Sequence, residues 1–358
     1  MGLYVRPMVP ADEAEYERLV MSSSFSTIHH SLKYRDFLRR VISEAKDLYF
    51  CAFEGREMVA ALPSFVRNGA LGTVMNSLPF FGSHGGVICK SDRCDDEMVN
   101  EFIRAITGIL SSRNVISSTI VEQLFHAEFY ASHILSGSLI DERIGQVSTL
   151  PSNVVGNIGE DNLIESLPPK KRWDIRKALS SDFTVSHSGN EETFRTLANL
   201  HNAGMQVIGG TSKPDSFYPA VREAFEYGND FRIYTASFEG TVVSAMLVLY
   251  FKDIIEYFML ATLPQFLSKQ PLSLLIYAAM RDGVLERNSK LWNWGGTWKS
   301  QNGVYDFKKR WGAIDIMYRY HTHVADKSVF LAASKDELLD AYPLFFVYPF
   351  DQLGQNEV

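Results

Sequence analysis

Two stretches of this 358-residue chain concentrate groups able to handle charge in a reaction. The first is Leu291-Trp292-Asn293-Trp294-Gly295-Gly296-Thr297, followed by Gly303-Val304-Tyr305-Asp306-Phe307-Lys308-Lys309-Arg310-Trp311-Gly312. An aromatic strand meets two glycines, which let a backbone approach a ligand closely. A short helix follows with Tyr305, Lys308 and Lys309 within a turn of one another. Lys308 so placed can neutralise charge developing in a transition state, and Tyr305 can give a proton to a leaving group. The same stretch also reads as core tryptophans, turn glycines and surface lysines, and both readings stand at this point.

The second is Leu167-Pro168-Pro169-Lys170-Lys171-Arg172-Trp173-Asp174-Ile175-Arg176-Lys177-Ala178, the densest positive cluster in an acidic chain. Pro169 suits the start of a helix, which sets Arg172 and Arg176 four residues apart on one face. Like charges there repel, so an anion is expected to offset them: the phosphate of a nucleotide- or lipid-linked substrate, or else only solvent with Asp174 nearby. Within the strand Ile254-Ile255-Glu256-Tyr257-Phe258-Met259-Leu260-Ala261, Glu256 falls on the face opposite Tyr257. A carboxylate in so apolar a strand is either paired or poised as a general base with a raised pKa.

A glycine-rich aromatic turn, Phe80-Phe81-Gly82-Ser83-His84-Gly85-Gly86, either poses His84 beside a ligand or is a tight connection. It is no P-loop, and no G-x-G-x-x-G follows a strand. His29-His30 and His321-x-His323 lack a third ligand at a recognisable spacing, so no metal is expected. No G-x-S-x-G elbow is present.

Apolar spacing supplies the elements that hold these residues. Tyr34, Phe37, Leu38, Val41 and Ile42, and likewise Leu272, Leu275, Ile276, Ala279 and Met280, follow the period of an amphipathic helix, with Pro271 suited to the first turn of the second. Runs at Tyr49 to Phe53, Glu57 to Val66, Arg232 to Phe238, Val242 to Phe251 and Ile254 to Ala261 read as strands. Phe53-Glu54-Gly55 and Phe238-Glu239-Gly240 each close one strand and open another, and Met58 to Leu62 aligns with Val243 to Leu247 without a gap. Both predict the same glycine-turn hairpin, and the matching order of elements around them predicts a duplication. We therefore expect two similar α/β domains with mixed sheets, 1–150 and 151–325, joined near Pro151-Ser152-Asn153, with a tail, 326–358, packing back.

Hydrophobic residues make up 46% and charged ones 22%, enough to bury a core and unlike disordered or fibrous chains. The net charge of −7 divides as about −4 before residue 150 and −3 after it, so no basic domain is expected to bind DNA. Charges within the first twenty residues disfavour a signal peptide, and no apolar run approaches the roughly 20 residues that span a bilayer. Cys51, Cys89 and Cys94 form no disulfide framework or C-x-x-C pair, which fits a reducing cytoplasm.

At these residues the sequence resembles the FemAB-like branch of the GNAT acyltransferase superfamily, which includes peptidoglycan bridge-forming aminoacyl transferases. The likeness is carried by Pro168 to Arg172 with Ile175 to Ala178, by Trp294-Gly295-Gly296-Thr297, and above all by Tyr305 to Gly312; Phe80 to Gly86 looks like the first-domain loop. The resemblance implies two tandem GNAT-like domains with an acceptor cleft at their junction, where an amine attacks an activated acyl carbonyl. It puts Lys308 at the transfer site, where the residues' own chemistry adds Tyr305 as proton donor and Glu256 as general base. Lys171, Arg172, Arg176, His84, Trp294 and Gly295 fall on the acceptor side. Tyr257, Phe258, Met259 and Leu260, with Ser268 and Lys269, fall beside the donor. Enzymes of this superfamily that use acetyl-CoA hold its pyrophosphate on a glycine-rich loop, and here that stretch, Gln265 to Ser273, has no glycine. The donor is thus acetyl-CoA or aminoacyl-tRNA. No heptad run marks a tRNA-binding coiled-coil arm between residues 200 and 300, which favours a smaller acyltransferase acting on a nucleotide- or lipid-linked amino sugar of the cell envelope or a polysaccharide. The alternative is a non-catalytic binding protein that keeps the duplicated fold and holds an anionic glycan precursor.

Overall fold

Helix starts follow the residues that permit them. Ser31 and Asn190 accept from the backbone N–H three residues on, Pro169 and Pro271 occupy first-turn positions, and Gly209 ends its helix in the left-handed region. The computed structural model describes residues 3–24, 26–90, 96–111, 113–124, 139–298 and 300–350; Cys94 lies outside them. The chain opens with β1 (Tyr4–Pro7), α1 (Glu13–Ser22), α2 (Leu32–Val41), β2 (Lys46–Asp47), β3 (Phe50–Glu54), β4 (Glu57–Leu62), β5 (Ser64–Gly69) and β6 (Gly72–Ser77). There follow β7 (Ile88–Cys89), α3 (Asp96–Ser111), β8 (Val115–Val121), β9 (Leu139–Thr149), α4 (Asn162–Ser166), α5 (Pro169–Leu179), β10 (Phe183–Ser188), α6 (Glu191–Ile208) and α7 (Phe217–Ala224). The remainder is β11 (Phe231–Phe238), β12 (Thr241–Phe251), β13 (Ile254–Thr262), α8 (Pro271–Arg287), β14 (Leu291–Thr297), α9 (Asn302–Lys309), β15 (Ile314–Val324), α10 (Lys327–Ala332) and α11 (Lys335–Ala341).

These elements form two units, residues 1–145 with 316–358 and residues 146–315. In the first, β1, β3, β4 and β7 make an antiparallel sheet, and β2, β5, β6, β8 and β15 lie side by side with β6 and β8 parallel. The run expected as one strand over 57–66 is two, because Pro63 separates β4 from β5 and the two strands pair with different partners. In the second unit the order is β10-β11-β12-β13-β14, antiparallel up to β13, with β13 and β14 parallel and joined through α8.

The duplicated hairpins are β3–β4 and β11–β12. Gly55 and Gly240 take φ of 64° and 78° in their turns, where a Cβ is disfavoured, and each hairpin carries a register shift close behind the turn. The core of the second unit joins α5 and α8 to the sheet through Ile175, Leu275, Ile276, Trp292, Trp294 and Trp311. In the first unit the turn at residues 80–86 is a close-packed connection: the Gly85 N–H donates to the Glu122 carbonyl at 3.3 Å, and a Cβ on Gly85 would stand 1.8 Å from the Leu78 carbonyl oxygen. Gly85→Ala is therefore expected to destabilise the protein by at least about 3 kcal/mol, read from denaturant unfolding; an unchanged midpoint contradicts this packing.

Candidate functional site

The parallel pair β13–β14 forks. Ile254, Ile255 and Glu256 pair with Leu291, Trp292 and Asn293, and the ladder between the strands stops there, although β13 runs on to Thr262 and β14 to Thr297. Past the fork the two strands pair no further, and on the β14 arm the Gly295 and Gly296 carbonyls find a side-chain donor instead. Lys308 of α9 sits on the β14 arm. Its Nζ donates to the carbonyls of Gly295 and Gly296 at 3.1 and 3.0 Å and to the Thr297 hydroxyl at 2.8 Å, so all three ammonium protons are placed. None of these partners is a carboxylate, the side chain is buried, and burial lowers the Lys308 pKa to about 8. Gly295 makes the approach possible: it takes φ of 75°, and its N–H turns back to Asn293 Oδ1 at 3.0 Å.

Glu256 stands at the vertex of the fork, in register with Asn293. It is buried, its Oε1 accepts no hydrogen bond among the described residues, and desolvation raises its pKa to about 8. Beyond it, Tyr257 packs on Trp292 and Trp294 at ring separations of 5.8 and 5.3 Å, and burial raises its hydroxyl pKa. Phe258 stacks on Phe217, Met259 is buried and Leu260 packs on the core. Trp294 belongs to the same aromatic core, with Nε1 donating to Ser148 Oγ at 2.9 Å.

A cavity of about 400 Å3 lies where α5, the first turn of α8 and α9 meet, lined by Lys170, Lys171, Asp174, Gln270, Ser273 and Arg310 among others. Lys171 is buried between the Phe307 and Trp311 rings, 5.5 and 5.1 Å from their centres, and pairs with Asp174 at 3.0 Å. Burial lowers its pKa, against the pull of Asp174. Three cations stand against one carboxylate in this lining, at the N-terminal end of a 17-residue helix whose first N–H groups have no intrahelical acceptor. The cavity is suited to an anion. Without glycine in this stretch, Gln270 itself adopts φ of 63° to turn the chain into α8.

The other residues singled out in the sequence have these places. Arg172 and Arg176 both bond Glu165 of α4, at 2.8 and 2.6 Å, so the anion between them is supplied by the chain itself. Tyr305 donates to Asp315 at 2.8 Å, which raises its hydroxyl pKa, so it and Lys308 leave α9 toward different partners. His84 is buried in the first unit, 2.6 Å from Ser83 Oγ and against the Tyr318 ring. Ser268 lies on the 3₁₀ turn Pro264–Lys269, whose Lys269 covers the Phe238 ring at 3.8 Å. Sequence reasoning missed Thr297 as a partner of Lys308 and Asp174 as the partner of Lys171. Both lie inside the quoted motifs, yet nothing in the motifs says which way they turn. Among the described residues no group of three or more His, Cys, Asp or Glu is arranged to hold a metal, and no helix is long and apolar enough to cross a membrane.

Residues 170–309 match the acetyltransferase (GNAT) domain family. No curated protein matches the chain in sequence. Among solved structures the chain is similar to FemX, with a TM-score of 0.69 at 14% identity over 92% of this chain and 99% of that one. It is also similar to a tandem GNAT protein from the clavulanic acid biosynthesis pathway, with a TM-score of 0.56 at 13% identity over 91% of this chain and 99% of that one. A third is the C-terminal domain of a putative lysylphosphatidylglycerol synthetase from Agrobacterium fabrum, with a TM-score of 0.55 at 10% identity over 92% of this chain and 96% of that one. The fold is that of tandem GNAT proteins, and these findings agree with the FemAB-like resemblance of the motifs.

Proposed function

On the premise that residues 170–309 are a GNAT acyltransferase domain, we propose that the protein transfers an acyl or aminoacyl group to the amine of a nucleotide- or lipid-linked amino sugar of an envelope or polysaccharide precursor, in the cytoplasm. The observation that carries this reading is Lys308, a buried ammonium held on the open arm of a forked parallel pair. The amine nitrogen bonds to the acyl carbon, the bond from that carbon to the donor's sulfur or oxygen breaks, and one amine proton leaves. Lys308 supplies positive charge beside the oxyanion, and Glu256, whose carboxyl is raised to about 8, receives the proton and returns it to the departing sulfur or oxygen. Lys170, Lys171, Arg310 and the start of α8 would hold the donor's phosphates, whether of acetyl-CoA or of an aminoacyl-tRNA end. Tyr305, committed to Asp315, is given no part in this step.

Thermal melting with acetyl-CoA, with CoA and with a UDP-linked amino sugar tests the reading, because ligand at 100 times its dissociation constant adds about 2.7 kcal/mol. A shift with acetyl-CoA that is lost in Lys171→Ala, together with amide product, is the expected result for a CoA-dependent enzyme. A shift with the sugar nucleotide alone directs the product assay to aminoacyl-tRNA. If no amide forms with either donor, the reading fails in favour of a binding protein, which the glycine-free loop would suit.

A further inference from the structure

The second unit holds another cavity, of about 360 Å3, that shares no lining residue with the one at the start of α8. Its size is at the low end for small-molecule sites. Two elements run the same way along it. Strands β10 to β13 alternate in direction, so β13 opposes β10, and α8, which returns from β13 to its parallel neighbour β14, runs with β10. Both elements pass from apolar to polar in that direction: Phe183, Val185 and His187 on β10, and Leu274, Ala278 and Asp282 on α8. The trough is therefore greasy at one end and charged at the other. Its apolar wall is completed by Ile158 and Leu179, which stay 60% and 37% exposed in a lining that a ligand would cover.

Charge at the polar end is shared unevenly among its partners. Arg281 is engaged by the fully buried Asp161 at 3.0 Å, and Arg232 by Glu286. Arg287, further along α8, turns to the Asn229 carbonyl at 2.8 Å and lies over the Tyr250 ring. Asp282 has the Tyr234 hydroxyl on Oδ2 at 3.0 Å and Arg232 Nη1 no nearer than 3.7 Å, and its Oδ1 accepts no hydrogen bond among the described residues. His187 is bonded through Nδ1 to the Tyr227 hydroxyl at 2.7 Å. Burial raises the Asp282 carboxyl above its ordinary range, and the neighbouring Glu286 adds to this, against the pull of the Tyr234 hydroxyl and of Arg232.

We propose that this trough binds a small apolar amine, with its hydrocarbon body against Phe183, Val185 and Leu274 and its ammonium on Asp282. An ammonium donates to the open Oδ1, whereas a carboxylate or phosphate head would meet the Asp282 carboxylate there with no donor to offer it. The proposal does not rest on the reading of Lys308.

Calorimetric titration of the full chain at neutral pH with 2-phenylethylamine, 2-phenylethanol and 3-phenylpropionate is the test. The amine is expected to bind and the other two not. Asp282→Asn keeps an acceptor for Tyr234 and should weaken the amine at least about tenfold. Ala278→Phe, which fills the trough, should abolish binding, and Lys308→Met should leave it unchanged. Binding of the alcohol as strong as that of the amine, an undiminished affinity in Asp282→Asn, or no heat from the amine overturns the proposal. Should Asp282→Asn fail to fold, the probe series on the unaltered chain decides alone.

Discussion

Lys308→Met is expected to lower acyl transfer by about 10²–10³-fold while leaving the melting temperature close to that of the parent. The rate loss follows from removing a preorganised cation from a site that water does not share. The unchanged melting follows from opposing terms. With the Lys308 pKa lowered from 10.5 to about 8, holding the buried ammonium costs about 3 kcal/mol at neutral pH. Methionine fills similar space without that cost, but it leaves the Gly295 and Gly296 carbonyls and the Thr297 hydroxyl without their donor, each worth about 1 kcal/mol. The sign with pH is definite. Between pH 8 and 10.5 the unfolded chain keeps a proton that the folded one has released, so stability rises with pH across that window. Denaturant unfolding at both ends of the window should show this slope in the parent and lose it in the variant. Turnover retained in Lys308→Met removes the lysine from the mechanism.

How much of this was legible beforehand depends on range along the chain. The helix bearing Lys308, the glycines it touches and the paired hairpins are local patterns, and their residues recur in the structure where spacing put them. Arg172 and Arg176 show the limit. Their spacing suggests the phosphate of a substrate or else solvent with Asp174 nearby, whereas the anion they hold is Glu165, which lies across the helix break at Leu167 and Pro168, and no periodicity carries over such a break. The fork is the larger gap. Ile254 to Thr262 and Leu291 to Thr297 read as ordinary strands, and a ladder that stops after three pairs leaves no trace in either alternation. Trp294 shows the converse, for a residue expected on the acceptor side is buried in the aromatic core, as the alternative reading of its stretch had it.

Glu256→Gln is expected to stabilise the protein at pH 8 by up to about 5 kcal/mol, the value of a carboxyl raised from 4.5 to about 8. Between those values the folded protein holds a proton that the unfolded chain has lost, so the parent's stability falls as pH rises through the window. Glutamine, with the same shape and no charge, should flatten that limb in denaturant unfolding measured from pH 4.5 to 8. A parent with no such limb would mean that Glu256 is paired or hydrated after all. The rate distinguishes the two roles open to the residue. As the acceptor of the amine proton, Glu256 must be ionised while Lys308 must be protonated, and both titrate at about 8. Transfer should then follow a narrow bell centred near pH 8. Glu256→Gln should lose the rising limb together with most of the rate while gaining stability, and that opposition marks a group held at the fork for chemistry. A variant that is stabilised yet turns over normally across the same pH range would make Glu256 a structural residue and move the base elsewhere.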